Sequence, residues 1–191
     1  MKRITVYCGS NDGLDPMYKA QAYLLGQTLA QRDIELVYGG AQVGLMGAIA
    51  DGALEQGGKV TGVLPNFLRN KEIAHRKLTE LLLVETMSQR KIKIEDLADG
   101  IIALPGGYGT LDELFEALTN AQLQLHRKPI GLLNVQGFYD GLVQLLDTMT
   151  SRGLLRKNNR DMLLISEDIE DLLDKMDRYE APAGSKWIGK N

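Results

Sequence analysis

Ile101-Ile102-Ala103-Leu104-Pro105-Gly106-Gly107-Tyr108-Gly109-Thr110-Leu111-Asp112-Glu113 is the stretch on which the fold turns. Four apolar residues read as a strand, a proline stops it, and a glycine cluster follows. Leu111, Leu114, Phe115, Leu118, Gln122 and Leu125 then recur at helical spacing. A strand, a glycine loop and a helix start make a cradle for an anion. The first backbone N–H groups of a helix have no partner within it, and its dipole favours negative charge there. Glycines let that backbone approach phosphate oxygens closely. A plainer reading also fits: Thr110 and Glu113 match a capping box, with the glycines making only a tight turn. Neither the G-x-x-x-x-G-K-[ST] loop nor the G-x-G-x-x-G dinucleotide fingerprint is present.

Working outward, short apolar runs alternate with helical patterns. Strands are expected at 3–8, 34–38, 59–64, 80–85, 101–104, 129–133 and 162–165. Asp15-Pro16 opens a helix, with Asp as cap and Pro at an early position. A second glycine turn, Gly39-Gly40 to Gly47, opens a helix ending near Glu55. Further helices are expected at 87–98, from Thr110, at 139–152 and at 167–179. Alternation of this kind predicts an α/β class: a doubly wound, Rossmann-like parallel sheet with helices on both faces. One domain is expected over residues 1–179, with 180–191, including Trp187, as a loose tail. Ligands in such sheets sit beyond the carboxyl ends of the strands. Cys8-Gly9-Ser10, Gly39-Gly40, residues 87–90 and residues 106–110 all leave such ends, so they should converge on one crevice.

The 191 residues suffice for one sizeable core, and 44% hydrophobic content is ordinary for a globular protein. A net charge of -3 and the lack of a basic stripe argue against nucleic acid or an anionic membrane as partner. No apolar run approaches a membrane span, and no signal peptide is evident. The single cysteine, Cys8, leaves no internal disulfide, which suits the cytoplasm; it reads as a buried structural residue. His75 and His126 lack metal-ligand company and read as surface or capping residues, so no metal is expected. Residues 66–79 have weak periodicity and many charges. Both a binding lid and a solvated helix fit them.

Arg90 is the charge that does not belong. Met87, Ile94 and Leu97 stand at i-3, i+4 and i+7, so the guanidinium falls inside an apolar stripe. It stays charged there and needs an anionic or polar partner. Either a ligand or an internal salt bridge would serve.

The segment 105–113 resembles the P-G-G-x-G-T-x-x-E signature of the Lonely Guy (LOG) family, and Met87-Ser88-Gln89-Arg90-Lys91 resembles its M-x-x-R-K segment. The resemblance extends from Cys8-Gly9-Ser10 to the helix after Phe138-Tyr139. It implies a small phosphoribohydrolase that removes the base from a nucleoside 5′-monophosphate, either AMP or a cytokinin nucleotide. It further implies Arg90 and Glu113 as the catalytic pair. Glu72, Lys91, Gly107, Tyr108, Gly109, Thr110, Leu111, Asp112 and Thr119 would contact the nucleotide. The 5′-phosphate would rest on Gly106, Gly107, Gly109 and Thr110, with Ser10, Gly39 and Gly40 assisting. No cofactor is implied, and a homodimer is. Asn120 stands where many members have tryptophan, which touches base preference and the dimer contact.

Two other functions compete. A non-catalytic nucleotide or molybdenum-cofactor binding protein could use the same glycine loop, but needs no Arg–Glu pair. A pyridoxal-phosphate decarboxylase, the older label for such sequences, needs a Schiff-base lysine, for which Lys91 is the only nearby candidate.

Overall fold

A computed structural model describes residues 1–69 and 74–182. The chain runs β1 (Arg3–Tyr7), α1 (Pro16–Gln31), β2 (Glu35–Tyr38), α2 (Gly44–Glu55), β3 (Val60–Pro65), α3 (Asn66–Arg69), β4 (Glu80–Val84) and α4 (Met87–Leu97). It continues with β5 (Gly100–Ala103), α5 (Tyr108–Gln122), β6 (Ile130–Leu133), α6 (Asp140–Ser151), α7 (Lys157–Arg160), β7 (Leu163–Ser166) and α8 (Ile169–Asp177). The strands form one sheet in the order β4-β3-β2-β1-β5-β6-β7, every pair parallel. All seven expected strands are present, and the α/β class holds.

Buried parallel strands alternate which face they serve. Ile4, Val6, Leu36, Tyr38, Ile102 and Leu104 pack under α1, α2 and α8. Tyr7, Val37, Val63, Ile101 and Ala103 pack on the opposite face, with Ile94 of α4, Leu114 of α5 and Leu146 of α6. The strand order reverses beside β1, which pairs with β2 on one side and β5 on the other. The connections leaving β1 and β5 therefore part toward opposite faces, opening a crevice at their carboxyl ends.

Helix starts place what borders that crevice. Asp15 caps α1, accepting the Met17 N–H at 2.8 Å, with Pro16 at the first helical position, as expected. The capping box, however, is not at Thr110. A variant of it opens α4, where Thr86 Oγ1 accepts the Gln89 N–H at 3.1 Å and Gln89 Oε1 accepts the N–H of Glu85, one residue before the cap, at 2.9 Å. Arg90 follows immediately, so this cap sets its height over the sheet. Helix α5 begins two residues before Thr110, at Tyr108, with Gly107 as its cap and no side chain bonded to its first turn.

Helices α1 and α2 touch backbone to backbone. A β-carbon on Gly26 would lie 2.1 Å from the Ile49 carbonyl oxygen, and one on Gly52 would lie 2.1 Å from that of Tyr23. Only glycine permits this crossing.

His75 is buried rather than at the surface. Its ring is satisfied inside: Nε2 lies 3.1 Å from Asp51 Oδ1, and Nδ1 accepts the Lys77 N–H at 3.2 Å. His126 is part-buried, with its ring Nε2 3.1 Å from the Ala117 carbonyl and Nδ1 accepting the Lys128 N–H. Cys8 is only partly buried, although burial still pushes its thiol well above the usual range, with the Glu113 charge adding to the effect. Glu72 and Trp187 lie outside the described residues.

Candidate active site

Three consecutive residues leaving β5 are tied to three different elements. The Leu104 carbonyl accepts the Tyr139 hydroxyl at 2.7 Å. The Pro105 carbonyl accepts the Gly9 N–H at 3.0 Å, stitching the loop to the end of β1. The space a Gly106 side chain would need is filled by Thr110, whose Oγ1 would be 2.1 Å from such a β-carbon. Beyond these ties the cradle opens: β-carbons on Gly107 or Gly109 would meet nothing within 4 Å. Uncapped N–H groups and free space above them make a place an anion can reach.

Arg90 and Glu113 meet beside this loop. Nη1 of Arg90 donates to Glu113 Oε1 at 2.8 Å, with the two side chains only 12% and 11% exposed. Nε of Arg90 donates to the Val63 carbonyl at 3.3 Å. The guanidinium lies across the second glycine turn: a β-carbon on Gly39 would be 2.1 Å from Nη2. Gly39 thus clears the path by which α4 delivers its charge over the sheet end.

Electrostatics around the pair are opposed. Burial lifts the Glu113 carboxyl above its ordinary value of 4.5, more than Arg90 pulls it down; Asp112 adds to the rise and Lys91 offsets part of it. Tyr7, the last residue of β1, is buried on the same face. Its phenol is held well above its usual value by burial first, then by the charges of Glu113, Glu95 and Glu116.

Lys91 does not point a free amine at the crevice. Nζ lies 2.7 Å from Glu116 Oε2 and 3.1 Å from Asp112 Oδ2, and these bonds raise its proton affinity. Such an ammonium is poorly suited to form a Schiff base, so the residues present do not fit pyridoxal phosphate. Among the described residues no group of three or more His, Cys, Asp or Glu could hold a metal ion.

The family described as possible lysine decarboxylase matches residues 46–176. The probable cytokinin riboside 5'-monophosphate phosphoribohydrolase LOGL5 of Oryza sativa subsp. japonica is 43% identical over 181 residues, spanning 95% of this chain and 74% of that one. The cytokinin riboside 5'-monophosphate phosphoribohydrolase LOG7 of Arabidopsis thaliana is 43% identical over 179 residues, spanning 94% and 82%. The chain belongs to the LOG family. Among solved structures, the molybdenum cofactor binding protein of the phototrophic bacterium Rippkaea orientalis superposes with a TM-score of 0.70 at 23% identity, covering 93% of this chain and 96% of that one. That likeness concerns the fold alone.

Within this LOG chain, the residues singled out from sequence divide into two groups. Gly39 and Gly40, the loop from Gly106 to Thr110, Arg90 and Glu113 lie at the sheet's carboxyl end, and exposed Ser10 leaves β1 beside them. Asp112 and Lys91 bond each other alongside. Tyr108 is almost fully exposed, while Leu111 is partly buried. Thr119 lines an open groove together with Lys91, Tyr108, Leu111 and Asp112. It lies about 14 Å along α5 from Thr110, and its hydroxyl donates to the Phe115 carbonyl at 2.7 Å. Glu116 and Tyr139 were not singled out. Spacing could have found Glu116, which follows Asp112 by one helical turn; nothing local marks Tyr139.

Proposed function

We propose that this protein hydrolyses the N-glycosidic bond of a nucleoside 5′-monophosphate, AMP or a cytokinin riboside 5′-monophosphate, to free base and ribose 5-phosphate. The single observation that carries the site assignment is the buried Arg90–Glu113 pair beside an uncapped glycine loop. The named relatives at 43% identity support the same chemistry.

The 5′-phosphate rests on the amides of Gly107, Tyr108, Gly109 and Thr110, and that anchor positions the ribose over Glu113. As the C1′–N bond breaks, its electron pair leaves with the base and positive charge grows on the ribose. The Glu113 carboxylate stabilises that charge and orients a water for attack at C1′. The water's oxygen bonds to C1′, and the proton it gives up passes to Glu113. The departing base takes a proton from solvent. Arg90 holds Glu113 ionised against burial and aims it.

A homodimer belongs to the same reading. Helices α4 and α5 leave Met87, Ile92, Tyr108 and Phe115 exposed, with Leu123 just past the end of α5. An open groove of about 540 Å³ runs between Lys91, Tyr108, Leu111, Phe115, Thr119 and Asn120. A second copy would cover this face, and Thr119 lies on it. We place the protein in the cytoplasm, as its lone half-buried thiol suits a reducing compartment; among the described residues no helix is long and apolar enough to cross a membrane.

Incubation with AMP and with a cytokinin mononucleotide, followed by chromatography, tests the activity. Free base and ribose 5-phosphate in equal amounts are expected, with the bare nucleoside a poor substrate. Tight binding of a mononucleotide with no release of base would instead make it a carrier.

A further inference from the structure

The ties around Tyr139 are not accounted for by the chemistry above. Tyr139 is 3% exposed, and its ring closes the end of the short turn Val135–Gly137 that follows β6. Asn134, also buried, accepts the Tyr139 N–H on Oδ1 at 2.7 Å and donates from Nδ2 to Asp140 Oδ1 at 2.7 Å. The backbone N–H of Asn134 is itself bound to the Ser166 carbonyl of β7 at 2.8 Å. The ring is thereby seated from below. From the side, Phe138 meets it edge to face at 4.8 Å between centroids, and Tyr18 of α1 meets Phe138 at 5.6 Å. What this seat delivers is one phenol O–H, donated at 2.7 Å to the carbonyl of Leu104.

That carbonyl belongs to the last residue before Pro105 and the glycine loop. A carbonyl just outside a strand is free to tilt unless something holds it, and its tilt sets the direction in which the next peptide leaves. The Leu104 N–H is bonded to the Tyr7 carbonyl at 2.9 Å and the Pro105 carbonyl to the Gly9 N–H at 3.0 Å; the peptide between them has no N–H, because proline lacks one, and the Tyr139 hydroxyl ties it through its carbonyl.

We propose that Tyr139 is a positioning residue for the anion cradle: its hydroxyl fixes the Leu104 carbonyl and so aims the amides of residues 107–110 at the phosphate. The proposal rests on reading that loop as the phosphate site. Tyr139 touches no substrate. Phe138 and Tyr18 also line a cavity of about 230 Å³ against Gly9, Pro105 and Gly107, so the same aromatic row that seats Tyr139 walls the loop's flank.

Tyr139→Phe keeps the ring and deletes the hydroxyl. The KM for AMP and the Kd for inorganic phosphate, measured by calorimetry, should both rise by about tenfold, the scale of one lost bond to a buried carbonyl. Because Glu113 and Arg90 are untouched, kcat should stay within about twofold. A variant that melts earlier yet binds phosphate as tightly as the parent overturns the proposal, since a merely structural tyrosine would behave so. If Tyr139→Phe does not fold, Asn134→Ala decides in the same way. It keeps the hydroxyl but unseats the ring, and phosphate affinity must fall. The phosphate measurement needs no turnover. A parent protein that binds phosphate without cleaving AMP would therefore defeat the proposed activity and leave this test standing.

Discussion

Arg90 and Glu113, 23 positions apart in sequence, form an ion pair at 2.8 Å in which neither side chain is more than 12% exposed. Taking two charges out of water is costly, and their attraction offsets this only when the geometry is good. Desolvated pairs of this kind cluster at functional sites, and the proposed mechanism uses this one. Glu113→Gln keeps the size and removes the charge. Release of adenine from AMP should fall by at least about a hundredfold, the low end for a positioned acid–base group. Circular dichroism should remain that of the parent. Arg90→Ala should lose activity as well, and should melt earlier, because a buried carboxylate is left without its cation at a cost of about 3–5 kcal/mol.

The pH dependence follows from the direction of the Glu113 shift. The proposed mechanism uses the ionised carboxylate, whose pKa burial has lifted above the ordinary 4.5. The acid limb of kcat/KM should therefore lie at a higher pH than an ordinary glutamate would give. Stability runs the other way. The folded state holds this proton more tightly than the unfolded state does. Its contribution is full below the unfolded pKa and is lost as pH rises through the folded one. The melting temperature of the parent minus that of Glu113→Gln should decline across that window. A flat difference would mean that Glu113 has an ordinary pKa.

Two glycine substitutions should fail for different reasons. Alanine at Gly107 meets no atom of the described residues within 4 Å, so the fold should tolerate it. Its methyl would occupy space above the loop, and the KM for AMP should rise with little change in melting temperature. Alanine at Gly39 would collide with Arg90 Nη2 and with Met46. It should lower kcat by displacing the guanidinium, with a smaller effect on phosphate binding. Steady-state kinetics on both variants separate the two effects.

Light scattering tests the proposed dimer face on α4 and α5. The parent should run with the mass of two chains. Phe115→Arg with Ile92→Arg should give one chain, because two exposed apolar side chains become charges that desolvate badly. A parent that is monomeric at working concentration overturns the dimer.

Strands were legible because the sheet is parallel and covered on both faces. Ile101 and Ile102 serve opposite faces, so both must be apolar, and the run stands out against its neighbours. Arg90 was legible for the converse reason, as a charge in register with buried Ile94 and half-buried Leu97, although Met87, read as part of the same stripe, is exposed. The alternative of a capping box at Thr110 could not be settled from the sequence because its pattern occurs twice. Thr86-x-x-Gln89 and Thr110-x-x-Glu113 both satisfy it, and local spacing cannot tell which glutamate-like side chain has a better partner elsewhere. Glu113 does, in Arg90, while Gln89 does not and turns back to its own helix start. The reason for glycine at 39 was invisible for a similar cause. It lies in a side chain that arrives from 51 positions further along the chain. His75 looked solvated because Asp51, which lets it be buried, is 24 positions earlier, on α2.

The glycine-mediated crossing of α1 and α2 bears on how such chains can be recombined. Each helix supplies the notch into which the other's main chain fits, so neither notch is useful alone. A chimera that takes α1 from a relative lacking glycine at 26, while keeping α2, would force a methyl into the Ile49 carbonyl. Domain shuffling should therefore respect residues 16–55 as one inheritable block, even though neither residue of the proposed catalytic pair lies within either helix.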